Sequence, residues 1–165
     1  MGIQRRGMKG FAAVIAVAVL VACSPQAGAD SGQSAANVEA EQEIHPVSGL
    51  RIIPVTVKTA SGDHVFRSEV AQTGPEQAKG LMFRTELGPD EGMIFPREDN
   101  SVASFWMKNT PLPLDIIFIG PDRRIINIAA QTTPYSLDSV FAEGPTGAVL
   151  EIPGGRAAEL GIAPG

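Results

Sequence analysis

The residues best suited to chemistry fall in one run, Phe105-Trp106-Met107-Lys108-Asn109-Thr110-Pro111-Leu112-Pro113-Leu114-Asp115. It holds the chain's single Trp, a Lys two residues on, a side-chain amide, and an Asp behind a Pro-x-Pro bend. A Trp ring beside an ammonium can stack a ligand face and add charge to it. A carboxylate opening a strand beside a stiff loop is well placed to be presented. Read as one extended strand, the run turns Phe105, Met107 and Asn109 to one side and Trp106 and Lys108 to the other. Arg84 in Gly80-Leu81-Met82-Phe83-Arg84 and Glu151 in Val149-Leu150-Glu151-Ile152-Pro153-Gly154-Gly155 complete the candidate polar set.

Two kinds of role fit these residues. Asp115 and Glu151 could act as acid and base on a polysaccharide if they lie within about 10 Å in one cleft. The alternative, which we favour, is an ion-pair network that holds the fold. Asp115 would then accept backbone N–H groups of the Asn109–Pro113 turn, and Glu151 would pair with Arg84 or Lys108. For Trp106 the favoured alternative is likewise structural, a core ring with Lys108 lying over it. Metals and cofactors are not expected. His45 and His64 are too few and too scattered for a zinc site. Met82, Met93 and Met107 could hold Cu(I), but Met is also the usual filler of irregular core gaps. Gly154-Gly155 lacks the rest of a phosphate-binding loop and reads as a turn. Ser104 and Ser139 lack a nucleophile elbow and a His base.

The elements that must position this set read as short strands. Ile52–Lys58 alternates with Ile53, Val55 and Val57 on one face, and Pro54 marks an edge strand. A turn at Ala60-Ser61-Gly62-Asp63 leads into a second strand, His64–Ala71. Thr73 with Glu76 three residues on forms a capping box and predicts a short helix ending near Gly80 or Leu81. Met93–Phe95 and Val102–Lys108 read as strands, and Asp115–Ile119 with Arg124–Ala130 as a hairpin through Gly120-Pro121-Asp122-Arg123. Residues 131–146 read as a long loop, Ala148–Ile152 as a strand and Arg156–Leu160 as a last helical turn. The expected domain is mainly β, a small sandwich or barrel of about seven short strands with one or two short helices.

The N-terminus reads as an address. Arg5, Arg6 and Lys9 precede an apolar run from Phe11 to Val21, which has the size of a signal core and is too short to span a bilayer. Leu20-Val21-Ala22-Cys23 resembles a bacterial lipobox, in which the Cys is lipidated and becomes the mature N-terminus. Residues 1–22 are then a lipoprotein signal peptide and Cys23 the lipid attachment site. Two or more acyl chains give stable anchoring where one does not. Residues 23–49, rich in Ala, Ser, Gln and acids, read as a flexible acidic tether, and 50–165 as a single domain. The protein would be exported and membrane-anchored, facing the periplasm or the outer surface.

Composition narrows the function classes. A chain of 165 residues allows one ordinary domain. Thirteen basic residues against 18 acidic ones give a formal charge of -5, which argues against a nucleic-acid partner. Losing residues 1–22 removes three bases and no acid, and the formal charge becomes -8. One Cys excludes an intramolecular disulfide, and a lipidated Cys23 leaves no thiol for catalysis.

The Trp106–Asp115 run, the Gly80–Arg84 block, Gly92-Met93-Ile94-Phe95 and Val149–Gly155 together resemble the domain-of-unknown-function family 192 over about residues 52–163. The resemblance implies a small, mostly β, often exported domain without an established activity. The family commonly has Arg after the Glu ahead of its Gly-Leu-Met block, where this chain has Gln77. Members also commonly continue past the final Gly, so a further strand is expected there in the family. The first functional expectation is a non-enzymatic module that binds a small ligand, a glycan or an envelope protein. The second is a structural accessory of the cell envelope, and the third a polysaccharide hydrolase using Asp115 and Glu151.

Overall fold

The computed structural model describes residues 42–165. The expected signal peptide, Cys23 and most of the tether lie outside the described residues. The strands are β1 (Ile52–Thr59), β2 (Gly62–Val70), β3 (Glu91–Pro96), β4 (Val102–Phe105), β5 (Leu114–Ile119), β6 (Ile125–Ala129), β7 (Val140–Pro145) and β8 (Ala148–Pro153). Two short helices, α1 (Gly74–Lys79) and α2 (Arg156–Leu160), complete the domain. Six strands form one curled sheet in the order β1-β2-β3-β8-β5-β6, and β4 pairs with β7 in a second, two-stranded sheet. Every pair is antiparallel except β2 with β3, whose connection carries α1.

The mainly β reading stands, with one strand more than expected. Strand β7 lies inside the segment read as a long loop. Its sequence, Val-Phe-Ala-Glu-Gly-Pro, leaves Phe141 59% exposed and ends on Gly and Pro, so no clean alternation announces it. The strand expected over Val102–Lys108 is shorter and stops at Phe105. The Thr110 N–H closes a turn onto the Met107 carbonyl at 3.0 Å, with Asn109 at a φ of 56°. Asn is among the few non-Gly residues that adopt this left-handed conformation readily. Pro54 does sit in an edge strand, because β1 borders the large sheet.

Alternation along the strands divides the core in two. One face of the large sheet carries Met93, Phe95, Ile116, Phe118 and Val149, and the small sheet covers it with Ala103, Phe105 and Ala142. Phe105 stands edge-on to Phe95 and Phe118, with centroids 5.0 and 6.2 Å apart. The other face carries Phe66, Ile94, Ile117, Leu150 and Ile152, and is covered by Ala157 and Ile162 of the C-terminal segment. Each fully buried large side chain is worth roughly 1.5–3 kcal/mol of apolar burial.

Helix α1 starts as its sequence predicts. Thr73 Oγ1 accepts from the Glu76 N–H, and the Glu76 carboxylate accepts from the N–H groups of Thr73 and Gln72. Those donors hold the Glu76 carboxyl below its ordinary range. Residues 43–49 are already tied to the sheet. Ile44 bridges Arg51, the Ile52 N–H donates to the Glu43 carbonyl, and Glu43 pairs with Arg67. The last part of the segment read as tether is therefore part of the domain's edge. Among the described residues, no helix is long and apolar enough to cross a membrane.

Candidate functional site

Glu151 lies on β8 between two neighbours, opposite Met93 of β3 and Ile116 of β5. That register puts its side chain on the face packed against the small sheet, at 4% exposure. Burial pushes its carboxyl up to about 8, with neither a hydrogen bond nor a cation among the described residues in compensation. At neutral pH the group is a neutral acid and a hydrogen-bond donor. It lines a cleft of about 230 Å³.

The surrounding elements are placed by their own local constraints. Gly80 ends α1 at φ 47°, ψ -134°, a conformation closed to most side chains, and lets the chain turn over the cleft toward Leu81 and Met82. Gly92 permits the close approach of β3 to β8, since a Cβ there would stand 2.5 Å from the Glu151 carbonyl oxygen. The Asn109 carbonyl accepts from the Phe83 N–H at 2.7 Å, which ties the Gly80–Arg84 loop to the Met107–Thr110 turn. Asn109 Nδ2 lies 3.8 Å from Met82 Sδ.

Trp106 forms part of the cleft wall and is 46% exposed, so it is not the core residue expected. The strand ends at the residue before it, and the turn swings its ring out of the sheet. The Lys108 ammonium lies 5.0 Å from the Trp106 ring centroid, as the ring-and-ammonium pairing required. Gln77, Lys79 and Arg97 bring further polar groups to the wall. Gln77 Nε2 donates to the carbonyls of Ala71 and Pro96, clipping the ends of β2 and β3 together. Arg97 holds Asp99 and Ser101 through Nη2, whereas its Nε–H is buried without a partner.

Three of the candidate residues hold the fold. Asp115 is fully buried and accepts from the N–H groups of Gln131, Gly155 and Ala157 at 2.8–2.9 Å. The structural role holds, but the donors are the β6–β7 loop and the start of α2, and the Asn109–Pro113 turn contributes none. Arg84 pairs with Glu69 at 2.7 Å rather than with Glu151. Asn109 serves the turn. Asp115 lies opposite Ile152, one residue along from the Glu151–Ile116 pair, so the two carboxylates point to opposite faces. The acid–base pair needed for the hydrolase reading does not exist. Among the described residues no group of three or more His, Cys, Asp or Glu side chains is placed to hold a metal.

Several residues of the site were not singled out from the sequence. Lys79 and Arg97 are isolated cations in loops and helix ends, and only the fold brings them to the wall of the cleft that Glu151 also lines. Glu69 shares the Glu151 face two strands away, beyond Met93, and alternation within Gly62–Val70 could have shown its inward direction. Phe83 and Tyr135 carry positive φ values of 65° and 61°, and both are exposed. Their N–H groups bond to Asn109 and Thr110, which holds them beside the motif turn.

The domain is thus a small mixed sheet with a buried acid, Glu151, on the wall of a cleft that Trp106 also lines. The chain belongs to DUF192, described as an uncharacterized ACR, whose profile matches residues 55–165. No curated protein matches it. A protein of unknown function from Novosphingobium aromaticivorans DSM 12444 is similar in structure, with a TM-score of 0.75 and 64% identity over 77% of this chain and 91% of that one. A second similar structure comes from Sinorhizobium meliloti 1021, with a TM-score of 0.68 and 36% identity over 70% of this chain and 91% of that one. That protein is described as a "putative transcription regulator".

Proposed function

We propose that this protein is an exported lipoprotein, anchored through Cys23, whose domain is a non-enzymatic module that binds a small ligand in the cleft between Trp106 and Glu151. One observation carries the binding reading. Glu151 is only 4% exposed at the cleft and its carboxyl makes no side-chain hydrogen bond or ion pair among the described residues, although burial disfavours its charged form. The buried Asp115 carboxylate, by contrast, receives three backbone N–H groups. The half-exposed Trp106 ring supplies an apolar surface beside it. The reading as a regulator of transcription, suggested by the description of the Sinorhizobium relative, gains less support. The chain is acidic, and the longer of the two described helices has six residues.

The anchor rests on the lipobox resemblance at Leu20–Cys23. Cys23→Ser should abolish incorporation of labelled fatty acid and release the protein from the membrane fraction. Continued labelling of that variant overturns the anchor. For the cleft, full-length protein in detergent is incubated with the small-molecule fraction of its host's envelope and examined by native mass spectrometry. The expected result is a retained small molecule that Trp106→Ala loses without a change of Tm. Equal retention by both proteins, or by neither, overturns the cleft reading.

A further inference from the structure

We infer that the ligand is a small acidic sugar unit, a pyranose bearing a carboxylate, held by Glu151 and the Lys79 and Arg97 cations of the cleft wall against the Trp106 ring. The inference rests on the reading of the cleft as a binding site and names the chemistry it selects. Two side chains lining the cleft, Glu151 and Arg97, keep donors without a partner among the described residues at neutral pH, the Glu151 carboxyl and the Arg97 guanidinium, whose Nε–H is itself buried. An occupant that satisfies them must bring acceptors.

The charge of the lining points the same way. Lys79 lines the cleft and makes no ion pair among the described residues, and Lys108, outside the lining itself, adds its charge 5.0 Å from the Trp106 ring centroid. Arg97 is partly offset by Asp99, 3.2 Å from its Nη2. On the Glu151 face, Glu69 of β2 is paired with Arg84, and Asp115 of β5 points away. The wall therefore offers cations and a neutral acid, a setting for an anion.

A ring with a C–H face and hydroxyls suits the remaining lining. Trp106 gives a flat surface for the apolar face of a pyranose. Gln77, Ser104 and Thr110 give polar edges for hydroxyls. The volume, about 230 Å³, is below the ~300–1,000 Å³ of sites for drug-sized ligands and calls for a single ring.

Trp106 is the chain's only Trp, so its fluorescence reports on the cleft. Full-length protein in detergent is titrated at pH 7 with galacturonate, galactose and benzoate. Galacturonate should change the emission saturably and bind at least tenfold more tightly than galactose. Lys79→Ala should weaken it by about tenfold or more, the lower end for a hydrogen bond to a charged group. Glu151→Gln keeps an N–H donor and should bind at pH 7 within a few-fold of the wild type. Above pH 8 the wild type should lose affinity as Glu151 ionises, and the Gln variant should not.

Galactose binding as tightly as galacturonate overturns the requirement for an acid and leaves the cleft reading intact. Saturation by benzoate alone overturns the sugar. Loss of binding in a folded Glu151→Gln protein overturns the donor role. Silence from all three probes overturns the acidic-sugar assignment, and the native mass spectrum then decides separately whether the cleft holds anything.

Discussion

Asp115 and Glu151 stand on neighbouring strands one residue out of line, Asp115 opposite Ile152 and Glu151 opposite Ile116, so their carboxyls leave opposite faces of the sheet. The offset divides their work. Asp115 meets three backbone N–H groups and locks α2 to the sheet, whereas Glu151 meets none and faces a cleft.

Asp115→Ala should therefore be severe. It strands three N–H donors in the interior, and a loss of about 3 kcal/mol or more is expected from unsatisfied buried groups. Asp115→Asn keeps one acceptor oxygen and should cost less, about 1–2 kcal/mol. Urea unfolding checks both through the midpoint at unchanged slope. An Ala variant as stable as the wild type would remove the Asp115 anchor from this account.

Glu151 predicts an inverted pH dependence. An unfolded Glu titrates near 4.5, and the folded protein retains the proton up to about 8. Across that window the native state binds more protons than the unfolded state, so stability falls as pH rises. The decline should begin near the unfolded value and level off above about 8. The full span corresponds to roughly 5 kcal/mol at most. Unfolding in urea at pH 5, 7 and 9 should show the slope, and Glu151→Gln should reduce it.

The fold was legible where local chemistry decides structure. Thr73 and Glu76 announce α1, Pro54 announces an edge, and the two Gly-containing turns announce their hairpins. What escaped depends on pairing at long range. Strand β7 exists because β4 lies beside it, and nothing in Val140–Pro145 says so. The parallel register of β2 with β3 is set by the α1 crossover.

The site was half legible. Trp106 with its partner Lys108, and Glu151, are legible from composition and motif, but the surroundings of Glu151 are not. Trp106 looked like core because a strand was expected to run through it, and the left-handed Asn109 ends that expectation. The pairing of Glu151 with Arg84 failed because Glu69, two strands away on the same face, takes the guanidinium first. Charge alone in a sequence does not say which of two carboxylates an Arg will meet.

Trp106 and Phe105, adjacent in sequence, should respond in opposite ways to Ala substitution. Phe105 packs edge-on between Phe95 and Phe118, and its removal should cost about 3–5 kcal/mol. Trp106 is half-exposed and its contact with Lys108 is worth only about 0.5–1 kcal/mol, so Trp106→Ala should move stability by about that much. Thermal unfolding of the two variants side by side distinguishes them. A large loss for Trp106→Ala would return that ring to the core and weaken the case for the cleft.

Arg84 and Glu69 carry the last prediction. Glu69 is 3% exposed, and its Oε1 accepts from Arg84 Nη1 at 2.7 Å. Removing the guanidinium strands a carboxylate among Met93 and its neighbours, and truncating one partner of a buried pair typically costs about 3–5 kcal/mol. Arg84→Ala should show that loss. Removing both charges with Arg84→Met and Glu69→Leu together should recover most of it, because the desolvation penalty goes with them. The pair also reaches residues 43–50. His45 Nε2 lies 3.2 Å from Arg84 Nη2 and 3.7 Å from Glu69 Oε1, and the His45 backbone bonds to Gly49 and Leu50. Arg84→Ala should accordingly speed amide exchange at His45 and Gly49 more than at Phe66 or Ile117 in the core. Exchange rising equally at all four would mean global destabilisation alone. A faster rate confined to His45 and Gly49 identifies Arg84 as the clasp between residues 43–50 and the sheet.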